Sequence, residues 1–161
     1  MLSVSLVGDQ AVIAKLTGMP EKLHKALVKK CWSLALKLQA YIRANKLSGQ
    51  VLNHQSGKLW RSIQSGVDDN PGSVYGKVFS SGDVKYAGIH EFGGTTKPHI
   101  IRAVNAKALA FKDYFGDTAF YKQVMHPGSK MPERSYMRAG LADMKDQIVE
   151  GLSEAVREGI S

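Results

Sequence analysis

Chemistry in this chain would have to come from five histidines, one cysteine and a scatter of carboxylates. The histidines are His24, His54, His90, His99 and His126. A helical zinc site needs two histidines four residues apart with a glutamate after the first, and no such spacing occurs. His90 and Glu91 are adjacent, which on a strand sends them to opposite faces. His99 and His126 become neighbours if the chain between them closes as a hairpin. A metal pair is then conceivable, although ordinary loop histidines explain the same residues. Cys31 is alone, so it makes no internal disulfide and completes no thiolate cluster. Its apolar, helix-patterned surroundings suit a small buried hydrophobe, and its solitude fits folding in a reducing cytosol.

Nucleophilic and phosphate-handling motifs are missing as well. The glycines at 57, 66, 72, 76 and 82 form neither G-x-x-x-x-G-K-[ST] nor G-x-G-x-x-G between a strand and a helix. There is no G-x-S-x-G, and although Ser and Asp residues are plentiful, nothing places a base beside a nucleophile. Carboxylates gather near the C-terminus at helical spacing, as a polar face would. The expectation is a non-enzyme with no catalytic residue, no cofactor and no metal.

The elements around these residues are clearer. Leu2, Val4 and Leu6 alternate with serines as a first strand. Asp9 could cap a short helix over 11–16, ended by Gly18. Pro20 and Glu21 begin the strongest helix, with Leu23, Leu27, Cys31, Leu34, Leu38 and Tyr41 or Ile42 on one stripe. Ala26, Ala35 and Leu36 widen the stripe, Trp32 lies off it, and the end falls near Asn45-Lys46. Ile63 to Val67 and Val74 to Phe79 flank the turn-forming Asp68–Gly72, which predicts a hairpin. Tyr86 to Phe92 reads as a third strand closed by Gly93-Gly94.

From 95 to 126 the pattern loosens into an arm, an insertion-like extension within a single domain over 1–161. Residues 99–103 and 109–112 flank 104–107 as a second hairpin, and Ala119 to Met125 adds a strand. A final helix runs from about Ser135, with Met137, Leu141, Met144, Ile148, Leu152 and Ala155 or Val156 inward. Asp143, Asp146, Glu150, Glu154 and Glu158 lie largely off that stripe.

The chain has 161 residues, one domain's length, with 43% hydrophobic and 22% charged residues. Its net charge is +8, from 22 Lys and Arg against 14 Asp and Glu. Such a surface attracts nucleic acid or an acidic partner. The densest cations, Lys22, Lys25, Lys29, Lys30 and Lys37, fall on the long helix, where a solvated face explains them. Opposite charge on the first and last helices would suit a head-to-tail ring contact, and two solvated helices give the same pattern. No signal peptide and no bilayer-length apolar run is visible, so a soluble chain, intracellular at synthesis, is expected.

Three islands stand out: Ser56-Gly57-Lys58-Leu59-Trp60-Arg61-Ser62-Ile63, Tyr86-Ala87-Gly88-Ile89-His90-Glu91-Phe92-Gly93-Gly94, and His126-Pro127-Gly128 leading into Pro132-Glu133-Arg134-Ser135-Tyr136-Met137-Arg138. Each looks like a joint between elements. In this order, with Ile101-Arg102 and Ala106-Lys107-Ala108-Leu109-Ala110-Phe111 between the second and third, they resemble the tail-completion and neck family of lambda-like, long-tailed bacteriophages. That family's T-G-x-L-x-x-S-I, Y-A-x-x-x-E-F-G and H-P-G…P-x-R-x-[FY]-[LM]-R segments fall on these positions. Ser56 stands for the usual threonine and Ser135 for a usual proline.

The resemblance implies an α+β fold: a small antiparallel sheet packed with the long helix and the C-terminal helix, plus an extended β-hairpin arm. It implies a structural virion protein that completes the head-proximal end of a tail or joins head to tail. Such proteins form rings, often sixfold, around the DNA channel, so the chain is expected in the virion neck and in host cytoplasm during assembly. Its partners would be a tail terminator, tube or head-closure protein and further copies of itself, with genomic DNA passing unread and no membrane. A tail terminator is the near alternative, and a basic nucleic-acid-binding module is the alternative from another class. Candidate subunit and partner contacts are Trp32, Tyr86, Glu91, His99, Arg102, Phe111, Tyr114, Arg134 and Tyr136. Packing within one subunit explains the joint residues equally well, and Phe92 and Tyr136 are expected in the core.

Overall fold

The computed structural model describes residues 2–5, 21–53, 56–70, 72–82, 84–112 and 115–160. The short helix expected over 11–16 and the candidate contact Tyr114 lie outside them. Contacts divide the chain into two compact units: the residues up to Phe92 with those from Glu133 onward, and Gly93–Pro132.

The first unit is α+β. Strand β1 (Leu2–Ser5) is followed by helix α1 (Glu21–Asn45), a short helix α2 (Lys58–Ser62), then β2 (Ile63–Asn70) and β3 (Ser73–Ser80). Helix α3 (Ala87–Phe92) follows, and after the second unit come α4 (Met137–Asp143) and α5 (Lys145–Ile160). The sheet order is β1-β3-β2, antiparallel throughout. The β2–β3 hairpin is tighter than the composition suggested: pairing runs to Asn70↔Ser73, and Gly72 turns the chain with φ 85°.

Helix α1 forms because its apolar residues recur every three or four positions. Leu23, Leu27, Cys31, Leu34, Ala35, Leu38 and Ile42 are buried, each leucine worth about 1.5–3 kcal/mol of burial. Leu36, expected to widen the stripe, is 52% exposed instead. The helix meets the sheet where Gly76 lets the strand close on it; a Cβ there would stand 3.4 Å from the Cys31 carbonyl oxygen. The main core joins α1, the sheet and the C-terminal helices through Leu34, Leu38, Ile42, Ile63, Val78, Met137, Met144 and Ile148.

Helices α1 and α5 approach through a stripe of small residues. Gly151, Ala155 and Gly159, four apart, are the buried side of α5 together with Ile148. A Cβ on Gly159 would fall 2.7 Å from Leu23 Cα, and one on Gly151 3.0 Å from Lys30 Cε. Val156, an alternative for the inward stripe, is exposed. Opposed charges meet here: Lys30 Nζ on α1 lies 2.8 Å from Glu154 on α5, and Lys46 Nζ, just past α1, lies 2.6 Å from Asp143 at the end of α4.

Residues 86–92 correct the sequence reading. They form α3, not a third strand. Ala87 and Glu91, four apart, are both buried, and Gly93 follows with φ 69°, the left-handed conformation that ends helices. The Gly93-Gly94 pair that looked like a strand's end is a helix's end.

The second unit is built of short two-stranded ribbons: β4 (Gly94–Thr95) with β9 (Lys130–Met131), β5 (His99–Arg102) with β8 (Gln123–His126), and β6 (Leu109–Lys112) with β7 (Thr118–Tyr121). The expected hairpin between 99–103 and 109–112 does not form. Each strand instead pairs with a later one, nested around a reversal at Gly116 with φ 90°. The strand expected over 119–125 divides at Lys122 into β7 and β8. No helix among the described residues is long and apolar enough to cross a membrane.

Candidate functional site

The first island, Tyr86–Phe92 of the second and Glu133–Arg138 of the third all belong to the first unit. In the first of them, Gly57 sits at φ 69°, which favours glycine. Around it Lys58 N donates to Ser56 Oγ at 3.4 Å, Arg61 N to the Gly57 carbonyl at 2.9 Å, and Arg61 Nη2 to the Ser56 carbonyl at 2.9 Å. Helix α1 holds the other end of the island. Arg43 donates from Nε to the Trp60 carbonyl (3.1 Å) and from Nη2 to the Ile63 carbonyl (2.5 Å), and its guanidinium lies 4.6 Å above the Trp60 ring. Gln39, buried one turn earlier, donates to the same Ile63 carbonyl at 2.7 Å and accepts from the Ser65 hydroxyl at 2.9 Å.

The second and third islands are clasped by Glu91, which is 0% exposed. Helix α4 starts without a side-chain cap, because Tyr136 occupies the N-cap position. Its first N–H groups therefore need an acceptor from elsewhere. Glu91 supplies it across 45 residues. Its carboxylate accepts from the backbone N–H of Tyr136 (2.8 Å), Met137 (2.9 Å) and Arg138 (2.9 Å), and from the Ser135 hydroxyl (2.9 Å). Arg138 completes the clasp, donating from Nε to the carboxylate at 3.1 Å and from Nη2 to the Glu91 carbonyl at 2.9 Å. Burial alone would push the Glu91 carboxyl up; the three backbone N–H groups and Ser135 outweigh it and hold it below its ordinary value. The Tyr136 ring is fully buried, its hydroxyl donating to the Ala87 carbonyl at 3.4 Å, and burial pushes its pKa far up, so the phenol stays protonated.

Beside the clasp lies a groove of about 500 Å³ to which all three islands contribute. Its floor is Leu47, Leu52 and Leu59, all buried. Trp60 and Tyr86 give it aromatic walls, and Lys58 and Arg134 stand exposed on its edge. His90 lines it too. The His90 ring packs edge-on to Tyr86 at 5.8 Å between centroids, and its Nδ1 is buried without a hydrogen-bond partner among the described residues. Burial, and then the Arg134 charge, hold His90 below its ordinary value, so the imidazole is neutral at pH 7.

The candidate contacts thus separate. Tyr86 and Arg134 share the groove. Glu91 and Tyr136 are sealed inside the clasp, so neither presents its side chain to a partner. Phe92, expected in the core, is 53% exposed under the Arg138 guanidinium, 4.8 Å from its ring centre. Trp32 is exposed on α1. In the second unit His99 stacks on His126 at 5.0 Å, Arg102 Nε donates to Gln123 at 3.3 Å, and Phe111 lies 6.5 Å from Tyr121. The His99 and His126 rings are neighbours, but each Nδ1 serves its own turn: His126 accepts from Gly128 N at 3.0 Å, and His99 lies 3.1 Å from the Lys97 carbonyl. Among the described residues no three metal-ligating side chains come together.

Sequence reasoning missed Gln39, Arg43, Lys58, Trp60, His90 and Arg138 as site builders. Two signals were present: polar Gln39 and Arg43, four apart beside an apolar stripe, and a helix start at 135–138 without a capping side chain of its own. No family model, curated protein or solved structure matches the chain in comparisons with known proteins.

Proposed function

We propose that this chain is a structural joining protein of a long-tailed phage particle. In this reading it completes the head-proximal end of the tail, or joins head to tail, as a ring around the DNA channel. It acts by interface geometry, without catalysis. The supporting observation is the second unit, Gly93–Pro132. It displays Ile100, Phe111, Phe120, Tyr121 and Met125 as exposed apolar side chains on ribbons of only two strands. Two-stranded ribbons are marginal alone, and exposed apolar patches mark interaction sites. An arm of this kind gains its order and its apolar burial from a partner. The order of the three islands supplies the class of particle.

The test is assembly. Purified protein is expected to co-sediment with isolated tails, and a phage lacking it to yield heads and tails that do not join. Joined infectious particles in its absence would end the reading. Mutant tails of uncontrolled length would make it a terminator instead.

A basic nucleic-acid-binding module is the second reading, favoured by the arm's charge. Lys97, Arg102, Lys107, Lys112, Lys122 and Lys130 stand there against Asp113 and Asp117. It requires DNA binding with a steep salt slope. No binding at about 50 mM salt would remove it.

A further inference from the structure

We propose that the groove between the three islands is a docking site for an acidic, apolar peptide segment of a partner protein, with a carboxylate held by Arg134 and Lys58 and apolar side chains seated on the leucine floor. This deepens the joining reading, on which the choice of a protein partner rests.

Four observations converge. First, the groove's charges have one sign: Lys58 and Arg134 line it and, among the described residues, no carboxylate does. Elsewhere on the same unit several cations are matched, Lys30 with Glu154, Lys46 with Asp143, Lys77 with Asp68 and Arg138 with Glu91 and Glu133. The groove cations have no ion pair among the described residues. Second, His90 Nδ1 is an unspent polar atom, buried at the groove. Buried polar atoms are nearly always bonded, so a lone one points to a missing partner group. Third, the floor is leucine and the walls are Trp60 and Tyr86, a surface that takes aliphatic side chains. Nucleic acid would find two cations and two aromatics here, but its sugars and phosphates gain little from a leucine floor. Fourth, the groove is preorganised. Gly57, Arg61, Arg43 and Gln39 fix one side by bonds to backbone, and the Glu91 clasp fixes the other, so little order is lost on binding.

The test uses the full chain with Trp32→Phe, which leaves Trp60 as the sole tryptophan of the original two. The probe is an end-blocked octapeptide of alternating leucine and glutamate. Saturable change in Trp60 fluorescence is expected, weakened about tenfold or more by Arg134→Gln and further by Lys58→Gln. Both side chains lack an ion pair among the described residues, so thermal unfolding of the variants is expected to match the parent. Equal binding of the leucine–glutamine peptide, no loss with Arg134→Gln, or no binding up to about 1 mM overturns the proposal. Tighter binding of an eight-residue oligothymidylate assigns the groove to nucleic acid and overturns it too. The assay contains no tails, so its failure leaves the joining reading to the assembly test.

Discussion

The two units of this chain spend their polar and apolar groups in opposite ways. In the first, an acid at 0% exposure serves five donors, and cations on neighbouring elements meet carboxylates. In the second, Phe120 is 70% exposed and short ribbons carry apolar side chains outward. A unit whose buried groups are satisfied internally, His90 at the groove apart, explains its own folding. A unit that leaves aromatic surface in water requires something beyond itself to account for it. The contrast places stability in the clasp; under the proposed function, partner contact falls to the arm and to the groove beside the clasp.

The sharpest way to break that contrast is at Glu91. Glu91→Ala strands three backbone N–H groups and buries Arg138's partner site, and is expected to cost about 3–5 kcal/mol in chemical denaturation. Glu91→Gln keeps one acceptor oxygen and should cost about 2 kcal/mol. A loss under about 0.5 kcal/mol for the alanine variant would mean the clasp does not hold the unit together.

The small-residue stripe comes next. Gly159→Ala places a Cβ against Leu23 Cα, and Gly140→Ala places one 2.6 Å from Ile42 Cγ1. Each should lower stability by about 1–3 kcal/mol, since the Leu23 backbone in the first case and the buried, β-branched Ile42 side chain in the second must shift. The arm predicts the reverse pairing of effects. Phe120→Ser should change stability by less than about 0.5 kcal/mol and still reduce co-sedimentation with tails.

Acid should act on the first unit. Glu91 is held below its ordinary value of 4.5, so its stabilisation is complete above that pH. It is lost as the pH falls through the lower folded value. His90 is also held below its ordinary 6.5, so the unfolded chain takes that proton first and stability begins to fall as the pH drops through 6.5. Thermal melts at stepped pH should show a shallow decline below 6.5 and a steeper one below 4.5. Glu91→Gln should lessen the second, leaving the part owed to Asp143 and Glu154, and keep the first.

Helix α1, the β2–β3 hairpin and the C-terminal helical stretch were legible in sequence because local period and turn residues decide them, but the single final helix expected from Ser135 divides at Met144 into α4 and α5. Residues 86–92 were not, because six residues with Ala87 and Glu91 inward satisfy alternation and helical spacing alike. Only the left-handed Gly93 resolves the two. The arm's pairing was illegible for another reason. His99↔His126 and Leu109↔Tyr121 are choices among distant partners, and turn composition at 104–107 pointed to a nearer one. The α1–α5 contact was half visible: the stripe was found, but Gly151 and Gly159 carry no hydrophobic signal. Of the site, Tyr86 and Arg134 were picked out as contacts, while the clasp needed a donor and an acceptor 45 residues apart to be seen together.

The measurement that tests the account most directly is reconstitution. Tails from a phage lacking this chain are mixed with filled heads and with purified protein, either wild type or an arm variant carrying Ile100→Ser, Phe120→Ser and Tyr121→Ser. The account predicts that wild type restores joined, infectious particles while the variant, with an unchanged melting temperature, does not. Restoration by the variant at the wild-type level, or no restoration by either, would contradict it.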